Sequence, residues 1–239
     1  MSSAQDTRQP ILETRGLSAG YSGWEVLRGI DLTVWPGETI GILGHNGAGK
    51  STLLRSIAGL LAPSKGAILH KGEDITRVPV PQRVKQGIVL VPQGRALFPD
   101  MDVRDNVMLG AFRRSRHDAV AAWDALSGEE PFLAQRKDAI VSRLSGGQQQ
   151  IVANARGLAS GPDVLMVDEP SLGLSGVAVS ALLEFLLRLR KNGITTILVE
   201  QNVGLAMNAC DRFAILKNGE LIGVYEKASL PKEELWSLF

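Results

Sequence analysis

The stretch Gly44-His45-Asn46-Gly47-Ala48-Gly49-Lys50-Ser51 constrains this chain more than any other, because it joins a short apolar run, Thr39 to Leu43, to a helical pattern from Lys50 to Leu61. A glycine-rich turn that closes a strand and opens a helix is the phosphate-binding P-loop arrangement. Its glycines let the backbone curl until successive N–H groups, helped by the positive end of the helix, point at one anion. Gly44, Asn46, Gly47, Ala48, Gly49, Lys50, Ser51 and Thr52 are therefore the candidate ATP-binding residues. Lys50 is expected to reach the β- and γ-phosphates, and Ser51 to place its hydroxyl on Mg²⁺. His45 occupies a variable position of the loop and is assigned no chemistry.

A loop of this kind needs a parallel sheet behind it. Short β-rich runs, Gly87 to Val91, Val164 to Val167 and Thr195 to Val199, alternate with longer helical patterns such as Ala178 to Arg190, as an α/β core requires. Two-residue alternation in Ile30 to Val34 and Gly66 to Leu69 predicts a small antiparallel sheet near the N-terminus. From about residue 93 to 160 the pattern turns mainly helical, which predicts an inserted helical subdomain. The organisation expected is a polar tail over 1–10, one ATPase domain over 11–227 and a short C-terminal helix or tail over 228–239. In that last segment Ser229 and Pro231 are helix-start signals, and Leu235, Trp236, Leu238 and Phe239 are apolar positions.

Val164-Leu165-Met166-Val167-Asp168-Glu169 reads as a buried strand that delivers two carboxylates to its C-terminal end, where ligands bind in open α/β sheets. Asp168 is expected to hold Mg²⁺, directly or through water. Glu169 is expected to polarise the water that attacks the γ-phosphate.

The 26 basic and 25 acidic residues nearly cancel, so the chain lacks the charge of a dedicated nucleic-acid binder. The single cysteine, Cys210, can build neither a disulfide framework nor a zinc cluster and is read as a small buried apolar side chain on a helix. Met1 to Pro10 lacks the apolar stretch of a secretory signal, and no run approaches the roughly 18 apolar residues of a membrane span. A cytoplasmic protein that serves a membrane from its surface is expected.

P-loops serve many enzymes; Leu144-Ser145-Gly146-Gly147-Gln148 narrows the choice. Small residues at a helix start form a second phosphate-binding surface. This segment, ahead of the acidic strand, resembles the signature of the ABC transporter ATPases, and the resemblance runs from about Ile11 to Tyr225. It implies that ATP is sandwiched between this signature and the P-loop of a partner subunit, so that binding closes a dimer and hydrolysis opens it. It also implies that Tyr21 stacks on adenine, and that Gln93 senses Mg²⁺ and the attacking water while linking the core to the helical subdomain. The partners implied are a second ABC ATPase, two membrane permeases and, indirectly, a periplasmic or extracellular solute-binding protein, with no nucleic acid.

At Val199-Glu200-Gln201-Asn202 this chain has Gln201 where most ABC ATPases carry a γ-phosphate histidine. A glutamine donates a neutral hydrogen bond and never becomes cationic. Two readings stand: Gln201 is a working catalytic substitute, or this half-site is slow and a partner's site carries the turnover. Glu200-Gln201-Asn202, Val91 to Arg95 and Glu169 to Leu174 are similar to the second ATPase of branched-chain amino acid importers and of related urea or short-amide importers. That resemblance implies a peripheral location on the cytoplasmic face of a bacterial inner membrane. Ser175-Gly176 departs from the Ala-Pro frequent in that branch.

Overall fold

A computed structural model describes residues 9–230. The chain begins with a long antiparallel pair, β1 (Leu12–Tyr21) and β2 (Trp24–Val34), closed by Ser22-Gly23. Both turn residues have positive φ, 49° and 86°, as a two-residue type I′ hairpin turn demands. β3 (Thr39–Leu43), buried throughout, runs into the glycine loop, and α1 (Lys50–Ala58) follows. The expected helix through Leu61 stops three residues early. Gly59 takes φ 81°, and the Leu60 N–H turns back to the Arg55 carbonyl, closing the helix before its apolar pattern ends.

β4 (Lys65–His70) and β5 (Glu73–Asp74) return to β1, giving an antiparallel sheet of order β2-β1-β4-β5, in accord with the alternation. Next come α2 (Val80–Lys85) and β6 (Ile88–Val91), which starts one residue later than expected because Gly87 has φ 88°. Four helices follow: α3 (Val103–Gly110), α4 (Arg116–Glu129), α5 (Pro131–Gln135) and α6 (Gly146–Ala159). These helices close on their own apolar cluster, which includes Val107, Trp123, Leu133 and Val152.

β7 (Val164–Asp168), α7 (Gly176–Lys191), β8 (Thr195–Val199) and α8 (Val203–Ala209) complete the parallel core. β9 (Arg212–Lys217) and β10 (Glu220–Glu226) then form a hairpin on its edge. The six strands run β10-β9-β3-β8-β7-β6, all parallel except β10. One face of this sheet, with α1, packs against the antiparallel sheet; the other packs on α7 and α8. This is a P-loop NTPase core with an antiparallel β-subdomain and inserted helices.

On α7, Leu182, Leu186 and Leu189 are buried and Leu183 is partly so, whereas Leu187 faces solvent, because a run this rich in leucine wraps past the apolar stripe. Ser175 caps α7 by accepting from the Ala178 N–H at 3.4 Å, which gives the departure at Ser175-Gly176 a local role. Cys210 is buried, but it lies one residue past the last turn of α8 instead of within it, and burial pushes its thiol far up. Among the described residues no helix is long and apolar enough to cross a membrane. The expected helix over 228–239 falls mostly outside the described residues; 227–229 form a 3-10 turn.

Candidate active site

The loop after β3 and the carboxylates at the end of β7 meet at the carboxyl edge of the parallel sheet, where β8 lies between the two strands. Gly49 opens α1 with φ 104° and offers no side-chain cap, so the first N–H groups of α1 take no acceptor from it. A side chain is strained at that φ, and a Cβ on Gly49 would lie 2.7 Å from Leu27 Cδ2. The Lys50 ammonium curls back over the loop, donating to the carbonyls of Gly44 (2.8 Å) and His45 (3.0 Å). It lies 3.6 Å from Glu169 Oε1, and both side chains are almost wholly buried.

Ser51 Oγ donates to Asp168 Oδ1 at 3.1 Å. Burial lifts the Asp168 carboxyl above its ordinary value; the Ser51 hydrogen bond works against that and the neighbouring Glu169 charge adds to it. A carboxylate in this position gains from a nearby cation. Among the described residues no cluster of three or more His, Cys, Asp or Glu could cage a metal. Ser51 and Asp168 are instead a partial set of hard oxygen donors, which suits Mg²⁺, an ion that completes its shell with water and substrate phosphates.

Glu169 has φ 46°, a left-handed conformation that is uncommon for a side-chain-bearing residue. Its N–H donates to Val199 O at 2.9 Å, which holds the turn against the end of β8. Its Oε2 accepts from Gln93 Nε2 at 2.8 Å. Lys50, Gln93 and Glu169, which lie far apart in sequence, thus form one connected group, with Ser51 and Asp168 beside it. Such strain at a carboxylate fixed by three strand ends is typical of functional positions.

The loop carrying Gln93 is bound to α6. Arg95 donates from Nε to Gln150 Oε1 and from Nη1 to Gln149 Oε1, each at 3.2 Å. Arg156 returns the contact, donating to the carbonyls of Ala96 (2.7 Å) and Arg95 (2.8 Å). Arg95 and Ala96 both have positive φ, 58° and 49°, so this clamp holds a strained turn. Sequence reading missed the clamp, since nothing local marks Gln149, Gln150 or Arg156 as partners of Arg95.

Glu200 was missed as well. It is 1% exposed, and its carboxylate accepts from Ser171 N (2.9 Å), Ser171 Oγ (2.7 Å), Gln201 N (3.1 Å) and Asn202 N (3.1 Å). It ties the turn after Glu169 to the segment holding Gln201. A charged residue directly after a buried strand was the one available signal. Gln201 itself is half-buried at the end of β8, next to this anchor.

The remaining expected residues are less connected. Tyr21 ends β1, and its hydroxyl accepts from Arg55 Nη1 at 3.5 Å. Asn46 and Gly47 are exposed, while Ala48 and Thr52 are buried. The hydrogen bonds of Leu144, Ser145 and Gln148 stay local: Ser145 and Gln148 form a reciprocal capping box on α6, and Leu144 O accepts from Gln149 Nε2 at 3.1 Å. Gly147 has a reason within the chain to lack a side chain, because its Cβ would come within 2.6 Å of Ala178 Cβ on α7.

The fold and this constellation define a P-loop nucleoside triphosphatase. The ABC transporter family profile matches residues 27–172, more than half of the chain. The high-affinity branched-chain amino acid transport ATP-binding protein BraG of Pseudomonas aeruginosa is 34% identical over 206 residues, which is 86% of this chain and 88% of BraG. The lipopolysaccharide export system ATP-binding protein LptB of Escherichia coli K12 is 32% identical over 213 residues, 88% of each chain. Among solved structures, CbiO1 of Clostridium perfringens, part of the ABC transporter complex CbiONQ, superposes with a TM-score of 0.83 at 30% identity, over 96% of this chain and 92% of that one. The chain belongs to the ABC transporter family, as an ATP-hydrolysing subunit whose turnover is coupled to transport.

Proposed function

We propose that this subunit hydrolyses ATP at the Lys50, Ser51, Gln93, Asp168, Glu169 and Gln201 constellation to drive uptake of branched-chain or related amino acids. The observation that carries the catalytic part is the convergence of Lys50 and Gln93 on Glu169 with Ser51 on Asp168. In this reading the loop N–H groups of residues 44–52 and Lys50 hold the phosphates. Ser51, Asp168 and Gln93 hold Mg²⁺, which when bound neutralises charge on the phosphate oxygens. Glu169 accepts a proton from the attacking water, Gln93 orients the Glu169 carboxylate, and Gln201 donates a hydrogen bond near the γ-phosphate. Tyr21 stacks on adenine. Residues 144–148 serve the ATP bound by a partner ATPase, either a paralogue or a second copy, and the helical unit over about 93–160 passes motion to two permeases on the cytoplasmic face of the membrane. The domain bounds proposed are 11–227 for the ATPase domain, with 1–10 and 228–239 as tails.

Amino-acid import is favoured by the similarity to BraG and by the Glu200-Gln201-Asn202 segment. The similarity to LptB makes other solutes the competing reading, beside urea and short amides. Glu169→Gln tests the mechanism. ATP binding is retained while turnover falls by about 10²-fold or more, the contribution expected of a positioned base; an unchanged ATPase rate removes Glu169 from that role. Solute uptake by the permeases that co-purify with this chain tests the cargo, and transport of a non-amino-acid solute alone overturns the amino-acid reading.

A further inference from the structure

Trp24 leaves 81% of its surface exposed, a large apolar ring that the protein's own core does not cover. It faces Tyr21, itself 42% exposed, directly across the type I′ turn. Residues directly opposite in an antiparallel pair project to the same face of the sheet. Which face that is follows from the register. The pairs run Tyr21↔Trp24, Gly20↔Glu25 and then Ala19↔Leu27, with Val26 as an inserted bulge residue, so Tyr21 and Trp24 share the face of Ala19 and Leu27. Both of the latter are 0% exposed, and Leu27 Cδ2 is the atom that a Cβ on Gly49 would strike. Arg55 of α1 reaches the Tyr21 hydroxyl on that side. The face that packs on the phosphate loop and α1 therefore continues outward past them as two uncovered rings.

We propose that Trp24 is a second base-stacking residue, extending Tyr21 into a two-ring floor for the adenine of ATP. The proposal rests on the reading of Tyr21 as the adenine residue and adds to it a determinant of nucleotide affinity. Rings carried on directly opposed strand positions stand side by side, about 5 Å apart at Cβ, too close to grip a base between them and well placed to lie under one flat purine. An indole offers more stacking area than a phenol, and stacking needs no particular hydrogen-bond pattern. The rings set affinity for the base, while the phosphate loop sets affinity for the triphosphate, so the two contributions separate when the base is removed from the ligand.

The test is equilibrium titration of the full-length chain, with Mg²⁺ withheld to prevent turnover, using ATP and inorganic tripolyphosphate. Trp24→Ala is expected to weaken ATP binding about tenfold, within the usual range for one base-aromatic contact, and Trp24→Phe to recover most of it. Tripolyphosphate affinity is expected to match the wild type in both variants, and ATP-dependent quenching of indole fluorescence to shrink in Trp24→Phe. Equal ATP affinity in Trp24→Ala and wild type, alongside a loss in Tyr21→Ala, overturns the role of Trp24 and leaves Tyr21 standing. Unchanged affinity in both alanine variants removes this face as the base site altogether. An equal loss for ATP and tripolyphosphate in Trp24→Ala also overturns the proposal, since the substitution would then act through the phosphate loop.

Discussion

Replacing Glu200 by glutamine separates the anchor of the site from its chemistry. The wild-type carboxylate takes Ser171 N–H on Oε1 and the Ser171 hydroxyl, Gln201 N–H and Asn202 N–H on Oε2. The best a glutamine can do is to put its carbonyl where Oε2 stood, which turns its NH₂ toward the Ser171 N–H. One buried donor then loses its acceptor, at a cost of about 1–3 kcal/mol, and the bonds that remain lose their charge assistance. The expected loss of stability is therefore about 2 kcal/mol, read as a lower urea midpoint at unchanged slope. Because the same bonds hold the turn after Glu169 to the Gln201 segment, kcat is expected to fall about tenfold with ATP affinity retained, as small misplacements of reacting groups do. A variant within about 0.5 kcal/mol of wild type, the scatter of neutral surface changes, and with wild-type kcat would refute the anchoring argument.

Two further substitutions address other parts of the site. Gly147→Ala pushes a methyl group against Ala178 and is expected to destabilise by about 1–3 kcal/mol, with Ala178→Gly restoring stability in the double variant; if the single change costs ATPase activity but no stability, Gly147 serves the partner's nucleotide and not helix packing. Gln201→Ala is expected to lower the ATPase rate and Gln201→His to restore or raise it; three equal rates in a phosphate-release assay make the position chemically idle.

The parts of this protein legible without a structure are those written in consecutive residues. The loop from Gly44 to Ser51, the strands Thr39–Leu43 and Thr195–Val199, the paired acids Asp168 and Glu169, and the two-sheet plan all follow from local pattern, because a strand or a loop glycine is selected by its own backbone. Periodicity could say that the leucines of α7 pack inward, but not that Leu187 does not, and it ran α1 past Gly59 because apolar spacing carries no record of a left-handed cap.

Only the tertiary structure decided which distant residues meet. The clasp of Glu200 on Ser171, the grip of Arg156 on the turn after Gln93, the need for Gly147 opposite Ala178 and the placing of Trp24 on the face of the phosphate loop depend on strand register and helix packing. Each joins elements that the chain orders separately. A hydrogen bond or a van der Waals contact is set by tenths of an ångström across such elements, and sequence spacing specifies position along an element but not between them.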